Sequence, residues 1–233
     1  MPIYIDTNLL FYLATMIEVL TLFAALLLLI KYWSTFPAVR WFACGKVSII
    51  AGLICLIMRD YMHIGFSIML TTTFLALGHA FFWFFARQAQ ERRIYDKRKT
   101  FWLIMISYLL IITYYTFYEI NIQMRIISSG FVYFLFSLYA ICELLLPTTH
   151  YKKLKAPVIF LSLCFTSAIL RWGYYVSSAP MLGSSKGTFF QIQEVNLDVT
   201  YILTSGSELL IIIGVFIFIA AKQKCLLKES TIQ

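Results

Sequence analysis

Long runs of apolar residues separated by short polar segments dominate the chain. A helix needs about 20 mostly apolar residues to span a membrane, and seven stretches meet this requirement. The pattern predicts an all-α integral membrane bundle of seven helices with no second folded domain. The predicted helices cover residues 8–30, 41–59, 64–86, 101–119, 125–147, 156–178 and 199–221.

The composition indicates that lipid surrounds most of this chain. Of its 233 residues, 61% are hydrophobic and 13% are charged, and the mean hydropathy is +0.82. A soluble domain is about half apolar and a quarter charged, so the apolar excess here is too large for a core of this size. The net charge of +8 does not indicate a nucleic-acid partner, because the basic residues lie between apolar runs, as they do at a membrane surface.

The loops on the two sides of the predicted bundle differ strongly in Lys and Arg. Of 19 basic residues, 14 lie in the loops after helices 1, 3, 5 and 7, whereas the opposite loops contain 3. Cytoplasmic loops are enriched in Lys and Arg, so we predict an N-terminus outside and a C-terminus in the cytoplasm. Residues 179–198 are then an external loop, and residues 222–233 a short basic cytoplasmic tail.

Three charged residues fall well inside predicted helices. Glu18 lies near the middle of helix 1, Arg171 in the outer half of helix 6, and Glu208 near the middle of helix 7. A charge within the bilayer is costly and usually faces the interior of the bundle or a water-filled cavity. These residues are therefore the first candidates for a functional site.

Polar and aromatic residues recur every three or four positions around two of these charges, so they share one face of each helix. We predict that helices 6 and 7 turn these faces toward each other and form a polar, aromatic-lined pocket open to the outside. Arg171 would hold an anionic or amphiphilic small molecule there. An ion pair between Arg171 and Glu208 that only fixes helix packing accounts for the same residues, and both interpretations stay open. The predicted ligand-binding residues are Arg171, Glu208, Glu18, Tyr174, Tyr175 and Thr204.

Other polar residues within the helices have simpler explanations. Lys46 lies close enough to the predicted cytoplasmic face to extend its ammonium group to the interface. His79 fits a hydrogen-bonded packing residue better than a ligand or a proton relay. Glu143 lies near the same face, and we expect it to pair with a loop lysine.

Sequence patterns of enzymes are missing from the chain. It has no helix with two closely spaced histidines, no Gly-rich phosphate loop and no nucleophile elbow. We therefore expect no enzymatic activity, no cofactor and no metal site. Predicted helix 7 also lacks the lysine that a retinal Schiff base needs, which argues against a light-driven pigment.

Three segments share a further pattern. The segment from Leu70 to Arg93 has a Leu- and Gly-rich middle followed by an aromatic and basic exit, Arg125-Ile-Ile-Ser-Ser opens helix 5, and Ala168-Ile-Leu-Arg171-Trp-Gly-Tyr-Tyr lies in helix 6. They resemble the seven-helix membrane regions that precede GGDEF diguanylate cyclase domains in bacteria. The resemblance implies a sensory module of a bacterial inner membrane, whose external face binds a signal and whose helix 7 passes motion to the cytoplasm.

The residues up to Gln233 contain no GGDEF domain. The resemblance therefore implies either an excised sensor domain or a receptor that acts through a separate cytoplasmic signalling partner or as a homodimer. No enzymatic activity is carried over. A small transporter or an accessory subunit of a membrane complex is the alternative to a receptor.

Overall fold

The computed structural model describes residues 7–146, 151–178 and 197–230. Within these ranges the regular structure is helical without a strand, and seven helices are long and apolar enough to cross a membrane. The predicted all-α, seven-helix membrane architecture is therefore confirmed. The helices are α1 (Thr7–Tyr32), α2 (Ala38–Ile57), α3 (Ile64–Ala89), α4 (Arg98–Thr113), α5 (Ile122–Leu145), α6 (Tyr151–Ser178) and α7 (Leu197–Ser230).

Several helices extend beyond their predicted bounds. α6 begins at Tyr151, so Pro157 lies inside the helix and not at its start. α7 continues to Ser230, past the predicted helix end at residue 221, so most of the predicted tail is helical. Lys and Arg are good helix formers, whereas hydropathy marks only the part of a helix that suits lipid. The predicted external loop, up to residue 196, lies outside the described residues.

The C-terminal ends of α1, α3, α5 and α7 lie together at one end of the bundle. The hydroxyl of Tyr32 in α1 donates to Gln223 in α7 at 3.0 Å. Arg87 Nη1 in α3 lies 2.6 Å from Glu143 Oε1 in α5. Successive helices therefore alternate in direction. We call the end at which these four helix ends meet the basic end, and it comprises residues 31–40, 87–99, 143–146 and 222–225.

α2 and α3 approach each other closely because each presents a glycine to the other. A Cβ atom on Gly45 would lie 2.6 Å from the ring of Phe82, and one on Gly78 would lie 2.6 Å from Ile49. Small residues at such positions let membrane helices pack tightly. The same part of α3 covers Lys46, whose Nζ lies 5.8 Å from the centre of the Phe82 ring.

Large apolar side chains cover the outer surface of the bundle. Phe23, Leu103 and Leu170, from three different helices, are 61–69% exposed. Several hydroxyl groups that are not fully buried donate to a carbonyl one turn earlier in their own helix, as Thr113 does at 2.7 Å and Thr166 at 3.0 Å. Polar groups in a lipid environment need such internal partners, so this surface suits contact with lipid.

Candidate functional site

A group of buried charged and polar side chains lies between α1, α2, α3, α6 and α7. These side chains belong to residues that are between 0 and 4% exposed. Two are carboxylates and two are cations, so their formal charges cancel. We call this group the ionic cluster, and it consists of Glu18, Lys46, His79, Arg171 and Glu208.

Lys46 is shared by the two carboxylates. Its Nζ lies 3.3 Å from Glu18 Oε2 and also donates to Glu208 Oε2. Lys46 is fully buried, so the prediction that it extends to the interface is wrong. Two features explain the difference: α2 begins at Ala38 and not at residue 41, which places Lys46 deeper in the helix, and α3 closes over α2 at Gly45.

Arg171 binds the other oxygen of Glu208. Its Nη1 lies 3.0 Å from Glu208 Oε1 and donates to Ser207 Oγ, also at 3.0 Å. Glu208 therefore bridges two cations, with one oxygen toward each. The predicted contact between the polar faces of α6 and α7 is confirmed, and the ion pair that was one of the two interpretations is present.

The contacts of His79 define its protonation state. Nη2 of Arg171 lies 3.5 Å from His79 Nε2, and a guanidinium can only donate, so Nε2 accepts and the proton is on Nδ1. Nδ1 lies 3.5 Å from Ser137 Oγ, whose own proton is donated to the carbonyl of Tyr133 at 2.9 Å. His79 is therefore neutral, and it is the hydrogen-bonded, packed histidine that the sequence analysis favoured.

Two buried donors, one in the ionic cluster and one on the residue next to it, have no hydrogen-bond partner within the described part of the chain. They are Arg171 Nε and Trp172 Nε1. The guanidinium carbon of Arg171 lies 4.4 Å from the centre of the Trp172 ring, so the two donors belong to stacked groups. Buried donors without a partner are rare in proteins, so these two groups mark the side of the cluster on which hydrogen-bonding capacity is left over.

The other predicted binding residues lie outside the ionic cluster. The ring of Tyr175 lies 5.7 Å from that of Trp172, measured between centroids. Tyr174 and Thr204 are half-buried, and Thr204 lies one turn before the carboxylate of α7. The cluster itself contains three of the six predicted residues, which are Glu18, Arg171 and Glu208.

Lys46 and His79 belong to the ionic cluster but were not among the predicted binding residues. Charge balance would have found the lysine. Glu18 and Glu208 buried with Arg171 alone leave one negative charge without a partner, and such a charge costs several kcal/mol in a protein interior. A second cation was therefore required, and Lys46 is the other lysine or arginine that lies inside a predicted helix, away from its first and last residues.

A second group of charges lies at the basic end. Glu143 lies 2.6 Å from Arg87 and 3.2 Å from Arg92, so it pairs with two arginines and not with the loop lysine that was predicted. These contacts join the C-terminal ends of α3 and α5.

α7 is also anchored at the basic end. Lys222 donates to the carbonyl of Ala89 at 3.0 Å and lies 3.0 Å from Glu91. Because Ala89 ends α3, the ammonium group lies where the helix dipole favours a cation. Glu208 and Lys222 are about 21 Å apart along the helix at 1.5 Å per residue, and their separation is close to a whole number of turns. They therefore lie on one face of α7, and this face is held both at the ionic cluster and at the basic end.

Comparisons with protein-family models, with curated proteins and with solved structures found no match for the chain. The resemblance to membrane regions that precede GGDEF domains therefore stays a prediction. The ionic cluster and the two anchor points of α7 are the features from which a function is inferred.

Proposed function

We propose that this chain is a membrane sensory module that binds a small molecule at the ionic cluster, from the outer side, and passes the change along α7 to a cytoplasmic partner. The observation that carries the proposal is the double anchoring of α7. Glu208 ties it to the ionic cluster, and Lys222 ties it to the end of α3.

The bridging position of Glu208 makes α7 responsive to a ligand. Each of its oxygens faces a different cation, Lys46 on α2 and Arg171 on α6. A ligand that engages Arg171 changes the balance between these contacts, and an unpaired charge in a dry interior is costly. A ligand shifts such an equilibrium only by its differential affinity for the two arrangements. Because α7 is a continuous helix from Leu197 to Ser230, it can carry a rotation or shift to Lys222.

The distribution of Lys and Arg supports a cytoplasmic location for the basic end, and the resemblance favours a bacterial inner membrane. In that orientation the C-terminal part of α7 faces the compartment in which a signalling partner or a second copy of the chain would bind.

Hydrogen exchange of the protein in lipid nanodiscs tests the coupling. Glu208→Gln weakens the contacts of α7 with both cations, and we expect faster exchange beyond Lys222 and across residues 89–98. Protection in α4 should stay unchanged, because α4 contributes no side chain to the ionic cluster. Glu119→Gln, at an exposed position, is the matched control and should leave all segments unchanged.

Exchange that rises only around residue 208 in this variant would contradict transmission along α7. Faster exchange throughout the bundle, α4 included, would indicate general loss of stability and would equally count against the proposal. A ligand found by thermal stabilisation of the wild-type protein should change exchange in the same two segments, and should stabilise Arg171→Lys less.

The buried position of the charge-balanced cluster also favours a second function, a small transporter. Ionisable residues within membrane helices mark substrate and proton pathways as well as receptor sites. Uptake into proteoliposomes separates the two, because a receptor moves no substrate across the membrane. Co-purification of a stoichiometric membrane protein would instead favour an accessory subunit.

A further inference from the structure

The guanidinium group of Arg171 has one edge left for a ligand. Nη1 is occupied by Ser207 and Glu208. Nη2 has two N–H groups and directs one of them to His79 at 3.5 Å, which leaves the other, and Nε has no partner within the described residues. Arg171 is 2% exposed, so this edge is shielded from water outside the bundle. Two parallel N–H groups on one guanidinium edge match the two oxygens of a carboxylate.

We infer that the Nε–Nη2 edge of Arg171 binds a carboxylate, and that the carboxylate binds together with one proton, which Glu18 accepts. This inference rests on the proposed function, because it names the class of ligand for the same cluster. It adds a chemical condition, since the ligand and the proton enter the site together.

The charge balance of the ionic cluster is the reason for the proton. Its two carboxylates and two cations cancel, and His79 is neutral. A carboxylate ligand alone would therefore leave one negative charge without compensation in a low-dielectric interior, which is strongly unfavourable. One proton from the aqueous phase, added to one carboxylate of the cluster, restores neutrality.

Glu18 is the carboxylate with the weaker ionic contacts. Glu208 has a cation at each oxygen, whereas the ionic partner of Glu18 within the described residues is Lys46, at 3.3 Å. α1 packs on α2 and α7, and the groups around Glu18 follow from this packing. They are Lys46 on α2 and Glu208 on α7, which meet at the Lys46 ammonium group, with Arg171 on α6 beyond Glu208.

Protonation of Glu18 leaves a balanced arrangement. Lys46 then pairs with Glu208 alone, and Arg171 lies between Glu208 and the bound carboxylate. His79 is the poorer proton acceptor, because a second positive charge would lie 3.5 Å from the guanidinium.

Isothermal titration calorimetry on the wild-type protein in lipid nanodiscs tests the inference. The probes are sodium acetate, which represents a free acid in water, and sodium dodecanoate, which represents an amphiphile of the bilayer. Titrations in two buffers of different ionisation enthalpy give the number of protons taken up. We expect the protein to take up one proton for each bound carboxylate. Its affinity for the carboxylate should then fall about tenfold for each unit by which the pH is raised. Acetamide, the uncharged analogue of acetate, should cause no proton uptake.

Two variants locate the carboxylate and the proton. Arg171→Lys keeps the charge but removes the Nε–Nη2 edge, so binding of both probes should be lost, and it serves as the blank for dodecanoate that partitions into lipid. Glu18→Gln should bind the carboxylate with no proton uptake and with an affinity independent of pH. If either variant fails to fold, the proton count on wild-type protein still tests the inference, because binding without proton uptake contradicts it.

Four results would overturn the inference. They are the absence of binding by both acids, binding by wild-type protein without proton uptake, undiminished binding by Arg171→Lys, and full proton uptake by Glu18→Gln.

Hydrogen exchange on the same samples separates this inference from the proposed function. A carboxylate that binds with its proton but leaves exchange beyond residue 222 unchanged supports the site and contradicts the sensory role. Coupling in the Glu208→Gln variant without carboxylate binding supports the sensory role and contradicts the site.

Discussion

Replacement of Lys46 by methionine removes the cation that the two carboxylates share. Methionine is close to lysine in length and apolar, so the variant changes charge with little change in packing. Among the described residues, Arg171 is then the one cation left in the ionic cluster with Glu18 and Glu208, and the cluster has a net negative charge. Breaking a buried ion pair by removal of one partner costs about 3–5 kcal/mol, and we expect a loss of this size in the free energy of unfolding.

The double variant Lys46→Met with Glu18→Gln tests the reason for that loss. It removes one charge of each sign, so the pair of Arg171 and Glu208 at 3.0 Å remains and the cluster is neutral again. We expect the double variant to be less destabilised than Lys46→Met alone. Glu18→Gln alone leaves a net positive charge and should cost about 1–3 kcal/mol. The loss in the double variant should therefore be about 3 kcal/mol smaller than the sum of the two single losses.

The measurement is unfolding in mixed micelles with increasing SDS, followed by far-UV circular dichroism. Mildly alkaline pH is needed, because a carboxylate without its cation can otherwise reduce the penalty by taking up a proton. Lys31→Met is the matched control, since Lys31 is exposed at the end of α1, and it should change stability by less than about 0.5 kcal/mol. The role of charge balance would be refuted if the loss in free energy of unfolding of the double variant equalled the sum of the two single losses. It would also be refuted if Lys46→Met were as stable as Lys31→Met.

Three further substitutions test the packing and the basic end. Gly45→Ala places a Cβ atom 2.6 Å from the buried Phe82 ring, so unfolding experiments should show a loss of about 1–3 kcal/mol. Gly206→Ala meets no heavy atom within 4 Å, and the same experiments should show a gain of about 0.5–1 kcal/mol from helix propensity. Glu143→Gln weakens a contact of 2.6 Å with Arg87, so hydrogen exchange across residues 90–98 should become faster. An exchange rate equal to that of the wild-type protein would contradict the role of this contact in holding the ends of α3 and α5 together.

The number and type of helices could be predicted because hydropathy is a local property of the sequence. Each membrane span is an apolar run in the sequence, and this run can be recognised without knowing which helices the span packs against. Helix ends could not be predicted in the same way. The ends of α6 and α7 extend into segments rich in lysine, where helix propensity is high although hydropathy is low, and no local pattern marks the point at which such a helix stops.

The ionic cluster was predictable only in part, for a related reason. Arg171 and Glu208 stood out because each lies deep within an apolar run. Lys46 lies only a few residues from the predicted start of its helix, and its burial depends on α3, which closes over it through contacts such as that of Gly45 with Phe82. Such a contact between helices leaves no periodic pattern on one helix, but the requirement for charge balance would have indicated it.

The composition of the ionic cluster favours a functional role over a packing role. Buried ion pairs add little to stability compared with apolar residues of the same shape, and the pair of Arg171 with Glu208 alone would fix the register of α6 and α7. Glu18 and Lys46 add two more charges, and the larger network still leaves the Nε of Arg171 without a partner among the described residues. A network that served packing alone would gain from satisfying that donor, since an unpaired buried donor costs about 1–3 kcal/mol. A binding site that alternates between an empty and an occupied state needs a donor that has no protein partner when the site is empty. It also needs a carboxylate with weak ionic contacts, which can take up a proton when a negatively charged ligand binds. Arg171 and Glu18 have these two properties.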